Sequence, residues 1–143
     1  MTQISRSALV EYSASEMFDL VNDIEQYPKF LPGCQSAQVL SSSETELVGK
    51  LSLSKAGISQ QFTTRNTLDR PRSITMEMVE GSFTSFDARW EFFELAERAC
   101  KVSLTMKFQF KSSLVGIAVE KLFSGVANAQ VDAMVERAKQ IYE

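Results

Sequence analysis

Residues 8–34, ALVEYSASEMFDLVNDIEQYPKFLPGC, decide how the rest of the chain has to fold. The stretch begins as the end of a strand. Ser13 and Glu16 then stand at the S-x-x-E spacing of a capping box, in which the hydroxyl takes a free helix amide and the carboxylate reaches back to the cap residue. Met17, Leu20, Val21 and Ile24 follow on one helical face. Tyr27, Phe30 and Leu31 make a second, short aromatic helix punctuated by Pro28 and Pro32, and Pro32-Gly33 is a turn. Asp19 and Asp23, at i and i+4, read as surface decoration. An apolar stripe of this kind must lie against a large surface, which the remaining sequence has to provide.

That surface reads as a sheet. Gln3 to Glu11 form a first strand. After the helical block, Val39-Leu40 lie in a second strand ending at Ser41-Ser42-Ser43, and Leu47 to Ser54 in a third. Ile58 to Leu68 follow the Ala56-Gly57 break, and Arg70-Pro71-Arg72 is a turn. Ile74, Met76 and Met78 alternate with polar neighbours, as do Phe86, Ala88, Trp90 and Phe92, and then Val102, Leu104, Met106, Phe108 and Phe110. Period-two alternation predicts an antiparallel sheet with one covered face, and short connections predict a meander. From Ser113 the period changes. Val115, Val119, Leu122, Val126, Ala129, Ala133 and Ala138 fall along one helical side, widened by Leu114, Ala118, Met134 and Ile141. The expected architecture is α+β. A curved antiparallel sheet of about seven strands wraps a long C-terminal helix over Leu114–Tyr142, with two short helices after strand 1. This is a helix-grip arrangement, expected as a single domain over residues 1–143.

Composition narrows the chemistry. The chain of 143 residues is 44% hydrophobic and 23% charged, with a net charge of −3. No broad cationic field is available to grip nucleic acid, and DNA is not an expected partner. There is no histidine, so imidazole bases, histidine triads and histidine metal sites are absent. Cys34 and Cys100 form no CxxC motif and read as reduced, partly buried thiols. The first residues lack the basic and apolar regions of a signal peptide, and no run approaches the ~18 apolar residues of a membrane span. A cytoplasmic location with at most peripheral membrane contact is expected.

A helix laid across a curved sheet leaves a wedge-shaped hollow. Its inner face is expected to carry Leu51, Leu53, Phe62, Met76, Met78, Phe86, Trp90, Met106 and Phe108, with Leu122 and Val126 from the long helix. Val21, Tyr27 and Phe30 would close one end. Methionine suits a wall that adapts to an apolar guest. Gln60, Thr64 and Asn66 share the face of Phe62. They read either as convergent polar groups of a small-molecule site or as residues turned to solvent by a bulge. The apolar stretch Tyr27–Leu31 reads as a lid, a membrane contact or a dimer seam. Lys50, Lys55, Arg65, Arg70 and Arg72 lie on neighbouring segments. They are either scattered charge or a patch gathered at one sheet end. Asp87, Arg89 and Glu91 read as a solvated ladder, and no catalytic constellation, phosphate loop or metal set is evident.

Four stretches carry a resemblance. VEYSASEMFDLVNDIEQYPKFLPGC (residues 10–34) is similar to the opening signature of the coenzyme-Q-binding START-like family, within the wider birch-allergen and polyketide-cyclase superfamily. EGSFTSFDARWEF resembles its central motif, matching at Gly81, Phe83, Phe86, Trp90 and Phe92. Ser82 stands where the family usually has proline, and Phe86 where leucine is common. SKAGISQQFTTRN (residues 54–66) and ERAKQIY (residues 136–142) resemble the bacterial ribosome-association toxin branch. The resemblance implies binding of ubiquinone or a related polyprenyl quinone in the hollow, as a lipid chaperone supporting respiration, with no cofactor required. For the toxin branch it implies binding of the large ribosomal subunit, which makes the five basic residues candidate ribosome contacts. Neither activity needs a catalytic residue. An aromatase/cyclase of the same superfamily ranks last.

Overall fold

The computed structural model describes residues 2–111 and 116–143. Strand β1 (Thr2–Val10) leads into helix α1 (Ala14–Asn22) and a 3₁₀ helix (Ile24–Lys29). Six strands follow: β2 (Cys34–Ser42), β3 (Glu46–Lys55), β4 (Ile58–Asp69), β5 (Ser73–Glu80), β6 (Phe83–Ala96) and β7 (Ala99–Phe110). Helix α2 (Gly116–Tyr142) ends the chain. The sheet has seven antiparallel strands in the order β1-β7-β6-β5-β4-β3-β2. This is the expected helix-grip architecture. The expected helix positions Leu114 and Val115 lie outside the described residues.

The capping box forms as its spacing predicts. Ser13 Oγ accepts from the Glu16 amide at 3.0 Å, and Glu16 Oε1 accepts from the Ser13 amide at 3.0 Å. Met17, Leu20, Val21 and Ile24 are buried, and so is Phe18, which the periodicity left out. Phe18 meets Phe92 edge-on at 5.7 Å and carries the Arg70 guanidinium 5.5 Å above its ring. Arg70 is ion-paired to Asp19 and donates to Ser15 Oγ at 2.8 Å. Asp19 is therefore a tie between α1 and the β4–β5 turn rather than surface decoration.

Helix α2 spans 27 residues, roughly 40 Å at ~1.5 Å per residue. Its buried face is Leu122, Phe123, Ala127, Val131, Met134 and Ala138. Leu122, Met134 and Ala138 of the expected stripe are buried, Val119, Val126, Ala129 and Ala133 are half-buried, and Ala118 and Ile141 are exposed. Phe123, Ala127 and Val131, which the expected stripe omitted, complete the buried face. The residue that settles the rotation is Phe123, which sits among Phe108 (4.8 Å), Phe62 and Phe83 (5.1 Å each), Phe110 (5.8 Å) and Phe86 (6.3 Å).

Two glycines let the layers approach. Gly33 has φ +88°, and a Cβ there would meet Val126 of α2 at 2.7 Å. On β3, a Cβ at Gly49 would collide with the Ile24 side chain, so the 3₁₀ helix packs directly on strand backbone.

Two substitutions test this packing. Trp90 is fully buried, and Trp90→Ala is expected to lower unfolding free energy by ~3–5 kcal/mol. Ser13→Ala removes the cap and is expected to cost about 1 kcal/mol. Urea denaturation with a constant m-value checks both.

Candidate functional site

The wedge between sheet and helix is filled from both ends. Six phenylalanines occupy one end, and α1 with Trp90 and Phe92, stacked at 6.3 Å, occupy the other. Between them remains a cavity of about 70 Å³. Engineered apolar cavities of roughly 150 Å³ admit benzene. At rest the hollow is about half that size and partly open to the surface.

Its walls are largely those the sequence pointed to. Val21, Tyr27, Leu51, Leu53, Phe62, Thr64, Asn66, Met76, Met78, Phe86, Trp90, Met106 and Val126 line it. Four expected residues do not. Phe108 is enclosed in the phenylalanine cluster, Leu122 is buried in the core, and Gln60 sits towards the β3–β4 turn. Phe30 rests on Tyr27 (5.8 Å) beneath the Arg137 guanidinium (5.3 Å). The lining also includes Ile24, Leu31, Gly49, Ile74, Phe123, Ala127 and Gln130. Ile24, Leu31 and Ile74 were legible from their apolar patterns, and Gly49 from being a glycine within a strand. Nothing in the sequence marks Gln130, because its role depends only on which side of α2 faces the sheet.

Strand β4 answers the question of a reversed register. Its pairing with β3 is continuous, and Phe62, Thr64, Asn66 and Leu68 all face inward. The irregularity falls on the partner strand, where Thr63 pairs with Glu80 and Thr64 with Met78, leaving Val79 as the extra residue. Thr64 and Asn66 therefore stay inside, and Thr64 Oγ1 donates to Asn66 Oδ1 at 2.9 Å.

The aromatic plug turns inward too. Tyr27 and Leu31 are buried, and Pro28, Lys29 and Pro32 are the exposed members. The segment packs its apolar side chains over the cavity. Tyr27 donates its hydroxyl proton to the Val21 carbonyl. Burial raises its phenol well above the ordinary value, with smaller contributions from Cys34 and Asp23. Glu25 accepts from the Val39 amide at 3.2 Å and pins the same segment to β2.

The five basic candidates do not gather at one sheet end. Lys55 lies at the Ile58 end of β4, while Arg70 and Arg72 follow its Asp69 end. Twelve residues separate these ends, about 40 Å at ~3.4 Å per residue. Arg65 faces outward and is bracketed by Glu46 (3.5 Å) and Glu77 (3.2 Å). Arg70 is engaged by Asp19. Lys50, Lys55 and Arg72 carry no ion pair among the described residues. Of the expected ladder, Arg89 reaches Glu91 at 3.8 Å.

Among the described residues no three His, Cys, Asp or Glu side chains are grouped to hold a metal. Among the described residues no helix is long and apolar enough to cross a membrane. Cys34 and Cys100 are buried and free. Burial pushes each thiol up to about 11, and Glu16 and Glu94 add to the effect at Cys100. The unfolded thiols ionise near pH 9 and the folded ones near 11. Their contribution to stability is thus intact below pH 9 and is lost as pH rises towards 11. Thermal melts should fall across that window, and less steeply in the double variant Cys34→Ala, Cys100→Ala.

Comparison with known proteins places these features in context. The family model for polyketide cyclase/dehydrase and lipid transport matches residues 10–135. A Vibrio cholerae protein named Ribosome association toxin RatA is 47% identical over 142 residues, covering 99% of each chain. The mitochondrial coenzyme Q-binding protein coq10 of Schizosaccharomyces pombe is 26% identical over 140 residues, 93% of this chain and 84% of that protein. The crystal structure of the Zhui aromatase/cyclase from Streptomyces sp. R1128 superposes with a TM-score of 0.84 at 17% identity, over 99% of this chain and 96% of that one. That last likeness establishes the fold alone.

Proposed function

Because the chain belongs to the polyketide cyclase/dehydrase and lipid transport family, and within it to the START-like branch of the ribosome association toxins, we propose that it binds the large ribosomal subunit and blocks its joining to the small one. It acts through its surface, without catalysis, in the cytoplasm. The observation that carries this reading is 47% identity to a ribosome association toxin over 99% of both chains. The small cavity favours it as well, since surface recognition needs no interior space.

Charge limits the form of the contact. The net charge is −3, and carboxylates already engage Arg65 and Arg70, two of the five sequence-derived candidates. Lys50, Lys55 and Arg72 are the members of the sequence-derived set that remain available. If those three alone meet phosphates, the logarithm of affinity falls with the logarithm of salt at a slope no steeper than about −3.

A second reading has its own observation. Thr64, Asn66 and Gln130 are polar corners of an otherwise apolar cavity, the usual form of a small-molecule site. Together with the likeness to a coenzyme Q-binding protein, this supports binding of a polyprenyl quinone or another hydrophobic molecule.

A sucrose gradient tests the first reading and a lipid extract of the same cells tests the second. The protein is expected to comigrate with large subunits at low salt and to deplete joined ribosomes. Lys50→Glu, Lys55→Glu and Arg72→Glu combined should lower the bound fraction and flatten the salt slope by about one unit for each phosphate that the variant no longer neutralises. Protein remaining at the top of the gradient at low salt removes the ribosome reading.

A further inference from the structure

We propose that the side-chain amide of Asn66 is a donor held for the acceptor oxygen, a carbonyl or an ether, of a neutral and largely apolar ligand seated in the cavity. The proposal rests on the second reading above and specifies its chemistry.

Asn66 is only 6% exposed. The alternation of β4 sends it inward, between Leu47 of β3 and Met76 of β5 in the ladder. The Thr64 hydroxyl donates to its Oδ1 at 2.9 Å. That bond orients the amide and leaves Nδ2, with both its hydrogens, directed elsewhere. Among the described residues nothing accepts from Nδ2, and the residue lines the cavity. Nδ2 is thus free to donate into the cavity, which leucine at this position could not do. Gln130 lines the cavity from α2 and likewise makes no hydrogen bond among the described residues. The Tyr27 hydroxyl already donates its hydrogen bond to the Val21 carbonyl. The donors open to a ligand are therefore amides.

The lining also sets the ligand's charge. Among the described residues no Lys, Arg, Asp or Glu borders the cavity. A carboxylate or phosphate would enter without a counter-ion, at a cost that excludes it. A neutral oxygen on an apolar frame meets no such penalty. Room comes from the walls, since Met76, Met78 and Met106 are unbranched side chains that can turn aside.

The test uses two probes of one shape. Duroquinone carries two carbonyl oxygens on a tetramethyl ring, and durene is the same methylated ring without them. The single tryptophan, Trp90, lines the cavity and reports duroquinone by quenching, with durene measured as its competitor. Duroquinone is expected to bind at least tenfold tighter than durene, and the Asn66 side-chain amide NMR resonance should shift only with duroquinone. Asn66→Leu should abolish the tenfold preference while leaving durene binding intact. Met78→Ala, which enlarges the cavity, should strengthen both. An unchanged preference in Asn66→Leu, or a still Asn66 resonance in the saturated wild-type protein, overturns the proposal while the cavity reading stands. If neither probe binds the wild type or Met78→Ala, the cavity reading fails and takes the proposal with it.

Discussion

The insertion of Phe123 between the sheet and its helix governs how the two layers meet. Its ring lies 4.8 to 5.1 Å from those of Phe108, Phe62 and Phe83, which come from β7, β4 and β6. Aromatic pairs of this geometry are each worth about 0.5–1.5 kcal/mol beyond the area they bury. Together they fix the rotation of α2 about its axis, and that rotation sends Ala127 and Gln130 to the cavity. The rest of the interior follows from this one wedge.

The same wedge limits the hollow. A curved sheet gripping a helix would enclose a large chamber if its ends were open. Here six phenylalanines fill one end and the capped helix α1 the other, and the 3₁₀ helix lies directly on Gly49. About 70 Å³ is left. Methionines form part of that remainder, so the interior is small at rest and adaptable on demand. Lys50, Lys55 and Arg72 stand outside the cavity lining, so the outer face and the core are separate parts of the molecule.

Much of the architecture was legible because its signals are local. The Ser13–Glu16 spacing became a capping box, and strand alternation became the inward faces of β4 to β7. Most of the cavity lining followed, since facing inward near the middle of a strand is a matter of parity. Three features were not legible. The supposed basic patch failed because strand length placed Lys55 and Arg72 at opposite ends of β4. Asp19 looked idle because its partner, Arg70, is 51 residues away. On α2 the expected stripe held Leu122, Met134 and Ala138 but omitted Phe123, Ala127 and Val131, because the flank of a helix that faces the sheet is set by the distant side chains it packs against.

The amino-acid order by itself determined which segments are strands and helices, which faces are apolar, and the absence of histidine chemistry. These depend on interactions a few residues long. Tertiary structure alone decided that only about 70 Å³ of the hollow is left, that Arg65 and Arg70 are engaged by carboxylates, and that Asn66 holds an amide donor at the cavity wall. Those outcomes depend on side chains from distant segments competing for the same space, and no local pattern records the result of that competition.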